Sequence, residues 1–448
     1  MNHPFTDTQP VLGPAPFFDM AELLDESTLA PEIVSDCVRE SRHRAGRRVR
    51  VVELTFTSQR WHGLVWRHPA RIYVPDGYDG DGAAGIIGTE RQAFEPGEWA
   101  RRVIPGTTLD TEGEYAEGTA LDLGMPVMIF ANPADCPFGL DESDFTGYAL
   151  KKTLETGDLT WNGYYPIAKA YLRAITLLHS LTGIGTKRAV LLGHSKRGVG
   201  VAIAAGADPE RVAGVMVCGY HGGNNLYHLA TKFAEFGPHV AGPAESHAGP
   251  GFQGAETMLR AINNPVGFRI LMHFDPYLWR DRIKAAYLVA LGTNDEFFAL
   301  GAPNSMMTDM PGDKAYLAID NVRHSWVSAK HLAAWRMWLA RTFAGRRVPR
   351  MPAVRHETAG DRLAVAARVE PEHVTGVRLF HAFHPVSQDW RSATWQSTPM
   401  AARDGEWHAE LTHQAGHNLA WYVEVEHNGA GEPGYVSSLV QNVGRSAG

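Results

Sequence analysis

Three residues of this 448-residue chain have the types and order needed for acyl transfer: Ser195, Asp295 and His324. A serine hydroxyl is a weak nucleophile until something holds it clear of the backbone and removes its proton. Ser195 lies in Leu191-Leu192-Gly193-His194-Ser195-Lys196-Arg197-Gly198, where an apolar run meets Gly-His-Ser and a small-residue segment, 199–205, follows. That order reads as strand, sharp turn, helix. Such a turn strains the serine backbone, and only small neighbours tolerate it. It also aims the first helical amides at the place where an oxyanion would form.

Asp295 comes one hundred residues after Ser195, and His324 twenty-nine residues after Asp295. Each follows a strand-like run, 285–291 and 315–319. Serine, acid, histidine in that order suits a parallel sheet with its active site at the carboxyl ends of the strands. His324 would take the Ser195 proton and return it to the leaving group, and Asp295 would orient the imidazole. The backbone N–H of Lys196 is the first expected oxyanion donor. The second is expected from the turn 88–90, with Thr89 as the candidate.

Neighbouring residues leave alternatives open. Glu296 could replace Asp295 as the acid, or line the pocket with Arg197 and His221. His194 reads as a packing residue pointing away from the elbow. Lys196 and Arg197 are unusual at a helix start, because cations there oppose the helix dipole. They are either a solvated surface pair or a site for a carboxylate or the oxyanion. No His-Glu-x-x-His and no clustered ligand spacing occurs, so neither metal nor cofactor is expected.

The elements that must hold these residues alternate strand and helix through 70–343, which predicts a mostly parallel sheet wrapped by helices. Residues 1–48 read as a lead-in and 49–345 as the α/β-hydrolase domain. Residues 220–280 show no strong strand and are rich in glycine, asparagine, histidine and aromatics, as expected of a helical cap over a site. After 346–352 the helical period disappears. Alternating apolar residues and turns such as Asp404-Gly405 predict an antiparallel, immunoglobulin-like β-sandwich over 353–448.

Composition narrows the partners. A net charge of −7, with no basic run interleaved with aromatics, gives no reason to expect nucleic acid. Three cysteines, Cys37, Cys136 and Cys218, are not a disulfide framework. No membrane span and no secretory leader is read, so a cytoplasmic location is expected, with secretion open if a leader was removed. The expected partner is a small-molecule or peptide substrate, and the oligomeric state is open.

Several stretches together resemble the PhoPQ-activated pathogenicity-related protein family. They are Gly-His-Ser-Lys-Arg-Gly at 193–198, Asp275-Pro276-Tyr277, Asn294-Asp295-Glu296-Phe297-Phe298 and Asn321-Val322-Arg323-His324. The resemblance runs over roughly 125–345 and extends to Asp389-Trp390-Arg391 and Trp395. It implies an α/β-hydrolase with Ser195, Asp295 and His324 at the triad positions, and no settled substrate. The elbow is also similar to the Gly-x-Ser-Arg-x-Gly of glucuronoyl esterases, where the basic residue assists the oxyanion. That likeness would give Lys196 this role and a uronic-acid ester as substrate, although lysine for arginine is not a neutral exchange. The expectation is a serine esterase or amidase. The rivals are a peptidase with the same triad, a glucuronoyl-esterase-like enzyme, and an inactive binding or signalling protein on a hydrolase scaffold.

Overall fold

The computed structural model describes residues 13–80, 82–89, 110–131, 142–237, 263–385, 389–429 and 431–444, with backbone alone at 142–144. Cys136, Glu90 and the stretch 238–262 of the expected cap lie outside the described residues. A nine-stranded sheet runs in the order β1-β2-β3-β5-β4-β6-β7-β8-β9. Strands β1 (Glu32–Glu40), β2 (Arg48–Trp61) and β3 (Leu64–Pro75) are antiparallel neighbours, and β3 pairs antiparallel with β5 (Val127–Ala131). The others are mutually parallel: β5, β4 (Ala83–Thr89), β6 (Arg188–His194), β7 (Val212–Cys218), β8 (Ala286–Gly292) and β9 (Lys314–Ile319). With the strand–turn–helix after β6, this is an α/β-hydrolase fold.

The parallel strands are apolar throughout because helices cover both of their faces. Leu191, Val215, Val217 and Val289 face the helices Tyr164–Ser180 and Lys196–Ala207. The alternate residues Val190, Leu192, Met216 and Leu288 face Trp335, Trp338 and Leu339 of the helix Ala329–Ala344. That helix begins at the Ser328 cap, whose side chain accepts the His331 N–H. The apolar period alone reads as a helix from Trp326, so the cap starts it three residues later.

Two differences from the sequence reading have physical causes. Part of the lead-in is β1, an exposed edge strand whose residues pair with β2 yet bury little, so burial periodicity gives no signal. Residues 64–66 and 70–74, which by their apolar and β-branched content read as two short strands, form one strand through Pro69. Pairing with β5 begins only at Ala70, so one edge of β3 is still open at Pro69, where a missing N–H is tolerated.

The C-terminal residues build two antiparallel sheets. One orders β10 (Ala353–Ala359), β11 (Arg362–Arg368), β15 (Glu406–Thr412) and β14 (Ala401–Arg403). The other orders β13 (Gln396–Pro399), β12 (Val374–His384), β16 (Asn418–His427) and β17 (Gly434–Ser437), with β18 (Gln441–Val443) also on β16. Leu363, Val365 and Leu411 of the first sheet share a core with Leu379, Trp421 and Val423 of the second, which makes a β-sandwich. The other face of the second sheet sends Phe380, Ala382 and Tyr422 into the core of the hydrolase domain. Across this seam, Lys330 Nζ meets Glu424 at 2.7 Å and Asp320 at 2.7 Å.

Over the sheet's carboxyl edge, the described part of residues 220–280 is helical, as expected. It comprises the helices Asn225–Phe236 and Pro265–Phe274 and the 3₁₀ segment Pro276–Arg282.

Candidate active site

Ser195 follows β6 directly and caps the helix Lys196–Ala207, with φ 56° and ψ −119°. A positive φ at a non-glycine residue is strained and persists only where its surroundings over-determine it. Gly193 is part of that surrounding: a Cβ there would stand 2.2 Å from the Arg197 carbonyl oxygen. The Ser195 N–H donates to the Cys218 carbonyl at 2.9 Å, which ties the elbow to the end of β7.

Asp295 lies just past β8, and its side chain is fully buried. Its Oδ1 accepts the backbone N–H groups of Phe297 at 2.8 Å and Phe298 at 2.9 Å. Its Oδ2 accepts from His324 Nδ1 at 2.8 Å. A proton on Nδ1 shared with this carboxylate selects the tautomer in which Nε2 carries none. Glu296 Oε2 accepts the backbone N–H of His324 at 2.9 Å, so this carboxylate holds the histidine loop.

The serine and the histidine belong to one neighbourhood. The ring of His194, next to Ser195, stands 4.4 Å from the His324 ring. A Cβ on Gly219 would fall 2.6 Å from His194 Nε2 and 3.1 Å from His324 Cε1, so glycine here leaves room for both rings. Phe297, 4.6 Å from the His324 ring, also lines the cavity that Ser195 opens into. No hydrogen bond joins Ser195 Oγ to His324 among the described residues. Such contacts are often long in free enzymes and tighten when substrate binds. His194, expected to point away, packs against His324. Burial first, then the His324 ring, holds its pKa well below the usual histidine value, so it is neutral.

A cavity of about 170 Å³ lies against Ser195 and Lys196. Its walls include His221, one of the residues offered by the sequence, together with Lys232, His228, Asn225 and Phe274, which the sequence reading did not offer, and Phe298. Phe298 belongs to the quoted 294–298 stretch; for the others the only signal was the concentration of His, Asn and aromatic residues in 220–280. Arg197 is buried and is not among the walls. Thr89 is the buried last residue of β4, and its Oγ1 has no hydrogen-bond partner among the described residues. Burial lowers the pKa of His221 to about 4, and that of Lys232 to about 8 against the opposing pull of Asp295. No group of three or more His, Cys, Asp or Glu side chains suited to a metal ion occurs among the described residues. No helix among them is long and apolar enough to cross a membrane.

The sequence profile of the PhoPQ-activated pathogenicity-related proteins matches residues 38–391, well over half of the chain. The chain belongs to that family. The match begins far before residue 125, so it takes in the antiparallel strands as well as the elbow. This family member is 23% identical over 294 residues to autocrine proliferation repressor protein A of Dictyostelium discoideum, covering 61% of the chain. It spans 55% of that protein, about half the length of the curated relative it matches. Among solved structures it is similar to the acetyl xylan esterase from Paenibacillus sp. R4, with 15% identity, a TM-score of 0.43, and 68% of this chain and 87% of that one covered. It is also similar to a glucuronoyl esterase from Solibacter usitatus, with 14% identity, a TM-score of 0.44, and 75% and 97% covered.

The stretches that carry the resemblance have structural reasons in this family member. Asp275 is buried and accepts the backbone N–H groups of Asn224 at 2.8 Å and Asn225 at 2.7 Å. It thereby fixes the start of the cap helix that carries His228 and Lys232. Asn294, beside Asp295, and Asn321, three residues before His324, bond to the loop around Trp390 and Trp395.

Proposed function

We propose that the protein is a serine hydrolase that cleaves a carboxylic ester through an acyl-enzyme. The observation that carries this reading is the pairing of a strained Ser195 at a strand-to-helix turn with the buried Asp295–His324 couple on the same sheet edge. In this reading Ser195 attacks the ester carbonyl while His324 Nε2 takes its proton. Asp295 stabilises the imidazolium, and two amides hold the carboxylate so that it cannot turn away. The Lys196 N–H, first in the elbow helix, donates to the tetrahedral oxyanion, and a donor near Thr89 supplies the second bond. One such donor is typically worth about 3 kcal/mol of barrier. His324 then protonates the leaving alcohol and activates water for deacylation.

The test is labelling by a fluorophosphonate probe followed by peptide mapping. The wild type should be modified at Ser195, and Ser195→Ala should be unlabelled with an unchanged circular dichroism spectrum. A well-folded wild type that resists the probe would leave the inactive-scaffold reading in its place.

A further inference from the structure

We propose that the cavity beside Ser195 is a subsite for a carboxylate-bearing group of the substrate, with Lys232 as its counter-ion. This deepens the hydrolase reading and rests on it. Lys232 lies on the cap helix Asn225–Phe236, is 8% exposed, and is one of the cavity walls. No carboxylate stands within ion-pair distance of its ammonium among the described residues. Its helical neighbour Glu235, three residues on, could pair with it but is turned away. Glu235 accepts the backbone N–H groups of Leu300 at 2.7 Å and Gly301 at 2.8 Å. The nearest acid in the site, Asp295, has both oxygens engaged by His324, Phe297 and Phe298. A buried ammonium left in this way is unfavourable until something anionic joins it.

The surroundings fit an anion with polar neighbours. His228 Nδ1 is buried and has no hydrogen-bond partner among the described residues, and His221 Nε2 and Tyr220 Oη have none of good geometry. Asn225 Nδ2 likewise makes no bond of good geometry, and its side chain is shared as a loose hydrogen-bond partner by His221, Tyr220 and Asp275. Native interiors leave few such atoms unsatisfied, so a cluster of them around one cavity needs an explanation. The two imidazoles stack at 4.4 Å and 17°, and burial lowers the pKa of both, so neither repels nor neutralises an incoming ion. About 170 Å³ holds a group about the size of one six-membered ring, against walls of Phe274, Phe298 and Tyr164.

The experiment compares mono-(4-nitrophenyl) glutarate with its neutral methyl ester as substrates, and measures glutarate binding to Ser195→Ala by calorimetry. The wild type should prefer the free acid in kcat/KM by about tenfold or more, and Ser195→Ala should still bind glutarate. In Lys232→Met and Lys232→Gln the preference should vanish while turnover of the methyl ester persists. Equal rates for both substrates in a wild type that the fluorophosphonate labels would overturn the subsite and leave the hydrolase reading standing. So would a preference that survives both substitutions. Glutarate binding to a protein that is never labelled would uphold the subsite and remove the enzyme. If neither Lys232 variant folds, the pH profile of the wild type decides. A preference for the free acid that persists unchanged from pH 6 to well above 8 counts against the lysine.

Discussion

Asn294 Nδ2 donates to the Ala393 carbonyl at 2.7 Å and also reaches the carbonyls of Trp390 and Arg391, so a residue adjoining Asp295 is bonded to the C-terminal sandwich. On the loop that carries His324, Asn321 exchanges bonds with the backbone of Trp395, donating at 3.1 Å and accepting at 2.9 Å. One loop of the β-sandwich thus clamps both segments that present Asp295 and His324. Asn294→Ala should lower stability by about 1–3 kcal/mol by leaving buried carbonyls unpaired. As a positioning residue it should lower kcat more than it raises KM. Thermal unfolding and steady-state kinetics on the same preparation check both.

The three triad substitutions should not add. Ser195→Ala, His324→Ala and Asp295→Asn should each reduce kcat by roughly a thousandfold or more, and the triple variant should be little worse than Ser195→Ala alone, because the residues act as a unit. Measured kcat values for the singles and the triple decide it. Losses that multiply would mean the three do not share one step.

The charge on Lys232 sets a pH dependence whose sign can be worked out. Burial lowers its pKa to about 8, Asp295 opposes that, and Arg391 adds to it, while His221 and His228 beside it are neutral. The ammonium is present below that value, so kcat/KM for carboxylate-bearing substrates should fall as pH rises through about 8, with neutral substrates unaffected. Stability runs the other way. A lowered lysine pKa means the folded state holds its proton less well, so the penalty is full below about 8 and fades toward the ordinary value of 10.5. Lys232→Met should therefore unfold no earlier than wild type at pH 7. A clearly lower melting temperature would show that the ammonium supports the fold instead.

Gly193→Ala should be among the most damaging substitutions in the chain. The added Cβ meets a backbone oxygen at 2.2 Å, and a helix start cannot yield as a flexible side chain would. A loss of roughly 3 kcal/mol or more is expected from such overpacking. Denaturant unfolding of the purified variant measures it.

Lys330 joins the two domains by meeting Glu424 and Asp320, with Glu424 almost fully buried. Lys330→Met leaves the Glu424 carboxylate without its counter-charge and should cost about 3–5 kcal/mol. Adding Glu424→Leu should restore much of that loss, because the uncompensated charge goes with it. A double variant as unstable as the single would mean the loss comes from packing rather than charge.

The sequence by itself determined the strand–turn–helix around Ser195, the order of Ser195, Asp295 and His324 along the chain, and the alternation that makes a parallel sheet. Each is a local pattern: an apolar run ending in Gly-His-Ser, or a strand followed by one polar residue type. It also marked the cap by composition and the sandwich by its alternating rows. Only the tertiary structure decided what required distant segments to meet. It brought His194 against His324, turned Glu296 onto a backbone amide, buried Arg197 outside the cavity, and gathered Lys232, His228 and Asn225 around Ser195. A helical lysine reads as solvated until a fold closes over it. Its burial depends on how the cap lies on the sheet edge, and no local period encodes that.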